Sequence, residues 1–433
     1  MAKNIPVNKE QAKLYASRIR TVFSENRISG ASLLNFSHAP RYLAYGVRLK
    51  QSTDFDSAIK IGEKIALKSA VDRVRVEREK GIIYYQVSLN KWQTIYTSDL
   101  DELNHIGLGL NSKAIGFNFD QPHTLVAGVT GSGKSEAVNT IVYSLAVSHT
   151  PEQLKFLMID PHNELSEFDN VAHLLMPIAH TDDEIKGVLE KIGQVFIERK
   201  EKNIRDDYRL ILVIDETNSI IRNPVYDTRI LEVIATESRK FNINLLICAS
   251  DTRKDALGNL PRSLSNKFIG YVPNARESAY ITGYPAMQAH YLTGKGDFLH
   301  IAPGLADRFQ VALTNKFAIE KLERCEVAKI EQAKVIEPTI NYDLILNDQK
   351  ITGRQKEIRV LPEALLCYLA TNNQVTAKKA ESIFSRLVQS ILGEDRTFGR
   401  NWHDYHKGIV DGLLKEADKN NLVISVNRKR KTT

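Results

Sequence analysis

The 433-residue sequence predicts an α/β fold: a strand-and-helix core, a small α+β module before it and a helical module after it. Three observations carry that expectation. From about 113 to 318, short apolar runs alternate with helix-length segments, as in a parallel sheet with crossover helices. The runs 154–159 (LKFLMI), 210–214 (LILVI) and 243–249 (INLLICA) are mostly apolar, as strands covered on both faces are. The run at 124–127 passes straight into a glycine-rich loop and then a helix, which marks the working edge of such a sheet.

Composition narrows the class. Hydrophobic residues make up 42% and charged residues 26%, ordinary for a water-soluble globular chain of two to four domains. No run of eighteen apolar residues is present and the first residues lack the apolar core of a secretory signal, so no membrane insertion is expected. Cys248, Cys325 and Cys367 lack metal or disulfide spacing and fit a reducing, cytoplasmic location. Net charge +7 and a pI near 9.0 suit a polyanionic partner, but charge alone does not identify one.

The elements follow in order. Residues 1–112 are expected to form an N-terminal helix (6–26, with Ala12, Tyr15, Ile19 and Phe23 near helical spacing) and a small α+β domain. After a loop through Ser29 and Gly30 come a half-buried strand at 42–49, a helix at 55–66, and strands at 71–77 and 82–87 joined by a turn through Lys80 and Gly81. In the core, 113–318, strands fall at 124–127, 154–159, 210–214, 243–249 and 267–272, with helices from Lys134, over 182–200 and over 228–241. The segment GKGDFL, 294–299, reads as a glycine turn entering a hairpin. A linker, 319–355, leads to 356–433, where helices at 362–371, 377–392 and 406–420 and a strand at 422–426 suit a winged-helix-like domain. Its candidate DNA contacts are Lys378, Lys379, Arg386, Arg396 and Arg400, with the tail Arg428, Lys429, Arg430 and Lys431.

The chemistry sits in the core. Gly128, Gly133, Lys134 and Ser135 meet the spacing G-x-x-x-x-G-K-[ST] between an apolar strand and a helix. Glycines let backbone N–H groups close around phosphate oxygens, and the helix N-terminus favours an anion. Gly128, Val129, Thr130, Gly131, Ser132, Gly133, Lys134, Ser135 and Glu136 are therefore the expected nucleotide-binding residues. Lys134 is placed to reach the β- and γ-phosphates, and Ser135 to ligate Mg²⁺. Asp215 and Glu216 directly follow an apolar strand, where an aspartate can hold Mg²⁺ and a glutamate can deprotonate a water attacking the γ-phosphate. A lone Asp-Glu pair there would read as a helix cap; with the phosphate loop upstream it reads as an ATPase. Arg239, at a helix end, is either a C-terminal helix cation or an arginine finger serving a neighbouring subunit. Ser250 and Asp251, closing the next strand, either sense the γ-phosphate or cap a turn.

Four stretches, HTLVAGVTGSGKSEAVNTIV, LKFLMIDPHNELSEFDNVAHLL, LILVIDE and ITGYPAMQAHYLTGKGDFLH, resemble the motor region of the FtsK/SpoIIIE DNA translocases within the FtsK–HerA group. MIDP followed by ELS and HLL is the most specific part. PRYLAYGVRL and VDRVRVE resemble the small α/β domain that precedes the motor in that family, so the resemblance spans about 30–318. It implies a RecA-like P-loop ATPase core that uses ATP and Mg²⁺, a homo-hexameric ring and double-stranded DNA as partner. Lys134 and Ser135 match the phosphate-binding pair, Asp215 the magnesium aspartate, Glu216 the catalytic glutamate and Arg239 the arginine finger. The family's glutamine sensor is replaced by Ser250 or Asp251. The membrane region of the cell-division members is not seen, so the resemblance suggests a motor of a plasmid, phage or mobile element. A conjugative coupling or secretion ATPase, and an ATP-switched DNA-binding assembly factor, are the alternative readings.

Overall fold

In the computed structural model, residues 8–325 are described, apart from 29, 50–54, 118–122, 227 and 259. They belong to the first of two compact units, Met1–Ile330. The expected winged-helix-like domain, its candidate DNA contacts and most of the linker lie outside the described residues.

The N-terminal part begins with α1 (Lys9–Glu25), started by Asn8, whose side chain accepts from the Glu10 and Gln11 amides. Ala12, Tyr15, Ile19, Val22 and Phe23 form its buried stripe. Strands β1 (Ser32–His38), β2 (Tyr42–Arg48), β3 (Val74–Glu79) and β4 (Ile82–Ser88) make an antiparallel sheet in the order β1-β2-β4-β3. The helix expected at 55–66 is two helices, α2 (Phe55–Lys60) and α3 (Gly62–Ser69). At their junction Gly62 lies against β3, where a Cβ would fall 2.7 Å from Val76 Cγ2. The turn between β3 and β4 runs through Lys80 and Gly81, both at positive φ.

Two expectations change here. The loop expected after Gly30 leads directly into β1, an edge strand whose pairing with β2 is irregular between Leu33 and Phe36. Strand β2 is not half-buried but buried from Tyr42 to Val47. One face packs on α1 and α3 through Leu43, Tyr45 and Val47. The other meets the core unit, where the Tyr42 hydroxyl donates to the Arg308 carbonyl at 3.1 Å.

The larger sheet has nine strands in the order β6-β5-β13-β12-β11-β7-β10-β9-β8. These are β5 (His105–Leu108), β6 (Ala114–Gly116), β7 (His123–Ala127), β8 (Leu154–Ile159), β9 (Arg209–Ile214), β10 (Ile243–Ala249), β11 (Asn266–Ile269), β12 (Asp297–Ala302) and β13 (Leu305–Val311). The five strands β11, β7, β10, β9 and β8 are parallel, as expected. Strands β12, β13, β5 and β6 extend that core antiparallel, so the sheet is mixed. The change of sheet falls between Ser88 and His105, before the expected break at 112.

Alternate residues of each central strand serve opposite cores. Leu245 and Ile247 of β10 face α5 (Asp182–Glu201), whose Ile185, Val188 and Ile192 share their cluster. Leu246 and Cys248 share the other cluster with Val138, Ile141 and Leu145 of α4 (Lys134–Ser148). Burial on both faces is why these strands read as apolar runs. The parallel strands bring four loop starts to one edge: Gly128, Asp160, Asp215 and Ser250.

Candidate nucleotide site

The phosphate loop hangs from its neighbours' backbones. Gly128 N–H donates to the Ala249 carbonyl at the end of β10 (3.2 Å), and Val129 N–H to the Tyr271 carbonyl past β11 (2.9 Å). Gly128, Gly131 and Gly133 have φ of 155°, 80° and 96°, values that L side chains rarely adopt. Around Gly131 a Cβ would meet nothing within 4 Å, so the loop's mouth is open there. Thr130 is exposed beside it. Ser132 is 1% exposed and tucked under the loop: a Cβ on Gly128 would fall 2.8 Å from its hydroxyl. Gly133 caps α4, so the free amides of the first turn face the loop. Lys134 reaches back, Nζ 3.3 Å from the Val129 carbonyl, and Ser135 follows on the same turn. The Glu136 carboxyl is raised by partial burial and by Glu167.

Strand β10 lies between β7 and β9, so Ser250 falls between the phosphate loop and the acidic pair. Asp215 is 6% exposed; burial raises its carboxyl pKa, the Cys248 thiol hydrogen bond opposes this, and the Asp160 and Glu216 charges add to the rise. Asp160 closes β8, and its carboxylate accepts from the Leu165 (2.7 Å) and His162 (3.2 Å) amides. A buried aspartate beside further carboxylates is an environment a divalent cation relieves. Among the described residues no group of three or more His, Cys, Asp or Glu side chains can hold a metal by itself. Mg²⁺ binds through one or two protein oxygens plus substrate phosphates, and Ser135 and Asp215 are the oxygens that would hold it here.

Glu216 sits at φ 53°, ψ 54°, in the left-handed region, at the start of α6 (Thr217–Arg222). Its carboxylate accepts from the Ser250 hydroxyl. Asn218, which the sequence reading missed, ties the two strand ends together. Its Oδ1 accepts from the Ser250 and Asp251 amides at 3.1 Å each, and its Nδ2 donates to the Asp251 carbonyl. Asp251 turns outward to Arg222 and Arg253, both at 2.6 Å, and these bonds hold its carboxyl well below the usual range. Of the two sensor candidates, Ser250 is the one at the acidic pair.

Arg239 is elsewhere. It is exposed on a short 3-10 turn, Ser238–Phe241, after α7 (Arg229–Glu237) and just before β10. The length of β10, about 20 Å, separates it from the phosphate loop of its own chain. Its charge is felt by His123 at the start of β7, on that far edge.

A second missed feature is the segment expected to be a plain hairpin turn. Residues 294–296 run along the phosphate loop before entering β12, with Lys295 N–H donating to the Gly131 carbonyl (3.1 Å) and Gly296 N–H to the Ser132 carbonyl (2.8 Å). Two glycines flanking one residue, ahead of an apolar strand, were the available signal.

Residues 93–250 match the FtsK/SpoIIIE family. A DNA translocase FtsK of Leptospira interrogans is 28% identical over 246 residues, covering 50% of this chain and 26% of that protein. Another, of Caldanaerobacter subterraneus subsp. tengcongensis, is 24% identical over 382 residues, covering 79% of this chain and 52% of its own length. This chain thus spans between about a quarter and a half of those relatives. Among solved structures, the pCW3 conjugation coupling protein TcpA, monomer form with ATPgS, is 18% identical with a TM-score of 0.48, covering 71% of this chain and 99% of its own.

Proposed function

We propose, from the match of residues 93–250 to the FtsK/SpoIIIE family, that the protein is an ATPase that drives double-stranded DNA through a ring of its own copies. One observation carries the reading: the phosphate loop after β7 and the pair Asp215–Glu216 after β9 meet at one sheet edge, bridged by Ser250. In this account Lys134 and the amides at the start of α4 hold the phosphates of ATP. Ser135 and Asp215 would hold Mg²⁺ beside those phosphates, where it would offset charge on the γ-phosphoryl group. Glu216 takes a proton from the attacking water, and Ser250 keeps the carboxylate aimed until then.

The ring follows from Arg239. It is exposed and about 20 Å from its own phosphate loop. An arginine so placed serves a nucleotide only across a subunit boundary, which a closed ring of identical copies supplies to every site. A hexamer is the copy number we propose, and the family's DNA-translocating relatives support duplex DNA as the partner. Residues 356–433 supply further phosphate contacts through Lys378, Lys379, Arg386, Arg400 and the tail 428–431.

The test is ATP hydrolysis by the full chain with linear duplex DNA, single-stranded DNA or none. We expect turnover that duplex stimulates most. A chain ending at 355 should retain basal turnover and need more DNA for half-maximal stimulation, increasingly so with salt. Absence of hydrolysis under all conditions, or hydrolysis indifferent to duplex DNA, contradicts the reading.

A further inference from the structure

Three arginines of the N-terminal module, Arg75 in β3, Arg73 just before it and Arg41 in the turn between β1 and β2, grip one segment of the core unit along its length. Arg75 Nε donates to the Met287 carbonyl at 2.9 Å. Arg73 donates to the carbonyls of His290 and, at 3.1 Å, Leu292. Arg41 donates to the Thr293 hydroxyl at 3.1 Å, to the Lys295 carbonyl, and to the side-chain oxygen of Gln310. The gripped segment ends in the strap that touches the phosphate loop at Gly131 and Ser132. That contact is close: a Cβ on Gly133 would fall 2.6 Å from the Gly296 nitrogen.

The strap acts on peptide orientation. A planar trans peptide points its C=O and N–H in opposite directions. Holding the Ser132 carbonyl on Gly296 N–H therefore turns the Gly133 N–H away from the strap, leaving it as a donor for an anion in the loop. The strap itself is held in an unfavourable shape, with Gly294, Lys295 and Gly296 at φ of 71°, 51° and 88°. Lys295 has no glycine's freedom there, so the shape needs outside support. Arg41 supplies it: the residue is 2% exposed, and its guanidinium lies 4.0 Å over the Trp92 ring.

We propose that Arg41 of the N-terminal module is a positioning residue for the phosphate loop, setting the Ser132–Gly133 peptide for nucleotide through the 293–297 strap. The inference rests on the nucleotide reading above. It gives the N-terminal module a share in a site to which it contributes no catalytic group.

The full chain with Arg41→Met or Arg41→Lys tests it. Methionine keeps much of the stem packing and removes every donor. Asp297 stays paired to Arg308, at 2.7 Å, in either variant. We expect Arg41→Met to raise the Kd for Mg-ATPγS and the KM for ATP by roughly tenfold or more, with Arg41→Lys in between. The kcat at saturating ATP should stay within about threefold, because the loss is one of binding. A lower melting temperature with unchanged Kd and KM overturns the proposal, since the brace would then serve stability alone. If Arg41→Met does not fold, Thr293→Val removes the hydroxyl that Arg41 and Asp297 share, and an unchanged Kd there overturns it equally. Failure of the unaltered chain to bind or hydrolyse ATP would instead remove the nucleotide reading, and this inference with it.

Discussion

Glu216 holds a conformation that costs a non-glycine residue about 1 kcal/mol, and in the proposed ATPase it is the base for the attacking water. Changing it separates binding from chemistry. Glu216→Gln keeps the shape and the Ser250 contact but cannot take a proton, so it should bind ATP and lose about a hundredfold or more in turnover. Lys134→Ala should lose nucleotide binding itself. Unchanged steady-state hydrolysis in Glu216→Gln would remove it as the base. At this scale the motif residues were legible because their spacing states their geometry: Gly128 to Ser135 on a strand–loop–helix, Asp215 and Glu216 at a strand end. Asn218 was not legible, since an asparagine two residues past an acidic pair has no pattern of its own until the neighbouring strand end is beside it. Arg73 and Arg75, alternating with Val74 and Val76, give the period of a strand and nothing about what that face meets. Their real surroundings are the 287–292 backbone, which no local period reveals.

Among the elements, the five parallel strands were readable because each is apolar over nearly its whole length. The antiparallel additions were not. Strands β5 and β6 have four and three residues, too short for an alternation to declare itself; they pair with each other, and only β5 joins them to the sheet, through β13 about two hundred residues away. The same sheet makes a pH prediction. His123 on β7 and His300 on β12 are buried, and burial draws both down to about 4 from an ordinary 6.5. The folded pKa lies below the unfolded one, so between those values the unfolded chain binds protons the folded chain refuses. Stability therefore falls as pH drops through that window and levels off beneath it. His123 accepts from Leu245 N–H through Nδ1, and His300 meets Asn266 through Nε2. Asparagine at 123 and glutamine at 300 preserve those atoms without the titration. Between about pH 7 and about pH 4.5, His123→Asn/His300→Gln should lose less stability than the unaltered chain, by on the order of a few kcal/mol. Equal losses in urea titrations would show that other groups govern the acid limb.

For the whole molecule, the account requires that sites be completed between copies. Subunits with Arg239→Ala and subunits with Glu216→Gln should each be nearly inactive. Mixed, they should recover part of the activity, because some interfaces then lack neither group. A finger acting across a boundary contributes on the order of a thousandfold or more in rate. If both variants assemble and the mixture does no better than its parts, Arg239 does not act in trans. The central claim is movement, and displacement of a short third strand from linear duplex DNA by the full chain tests it most directly. The account predicts displacement with ATP, none with ATPγS and none with Glu216→Gln. Vigorous duplex-stimulated hydrolysis that leaves the third strand in place would contradict it.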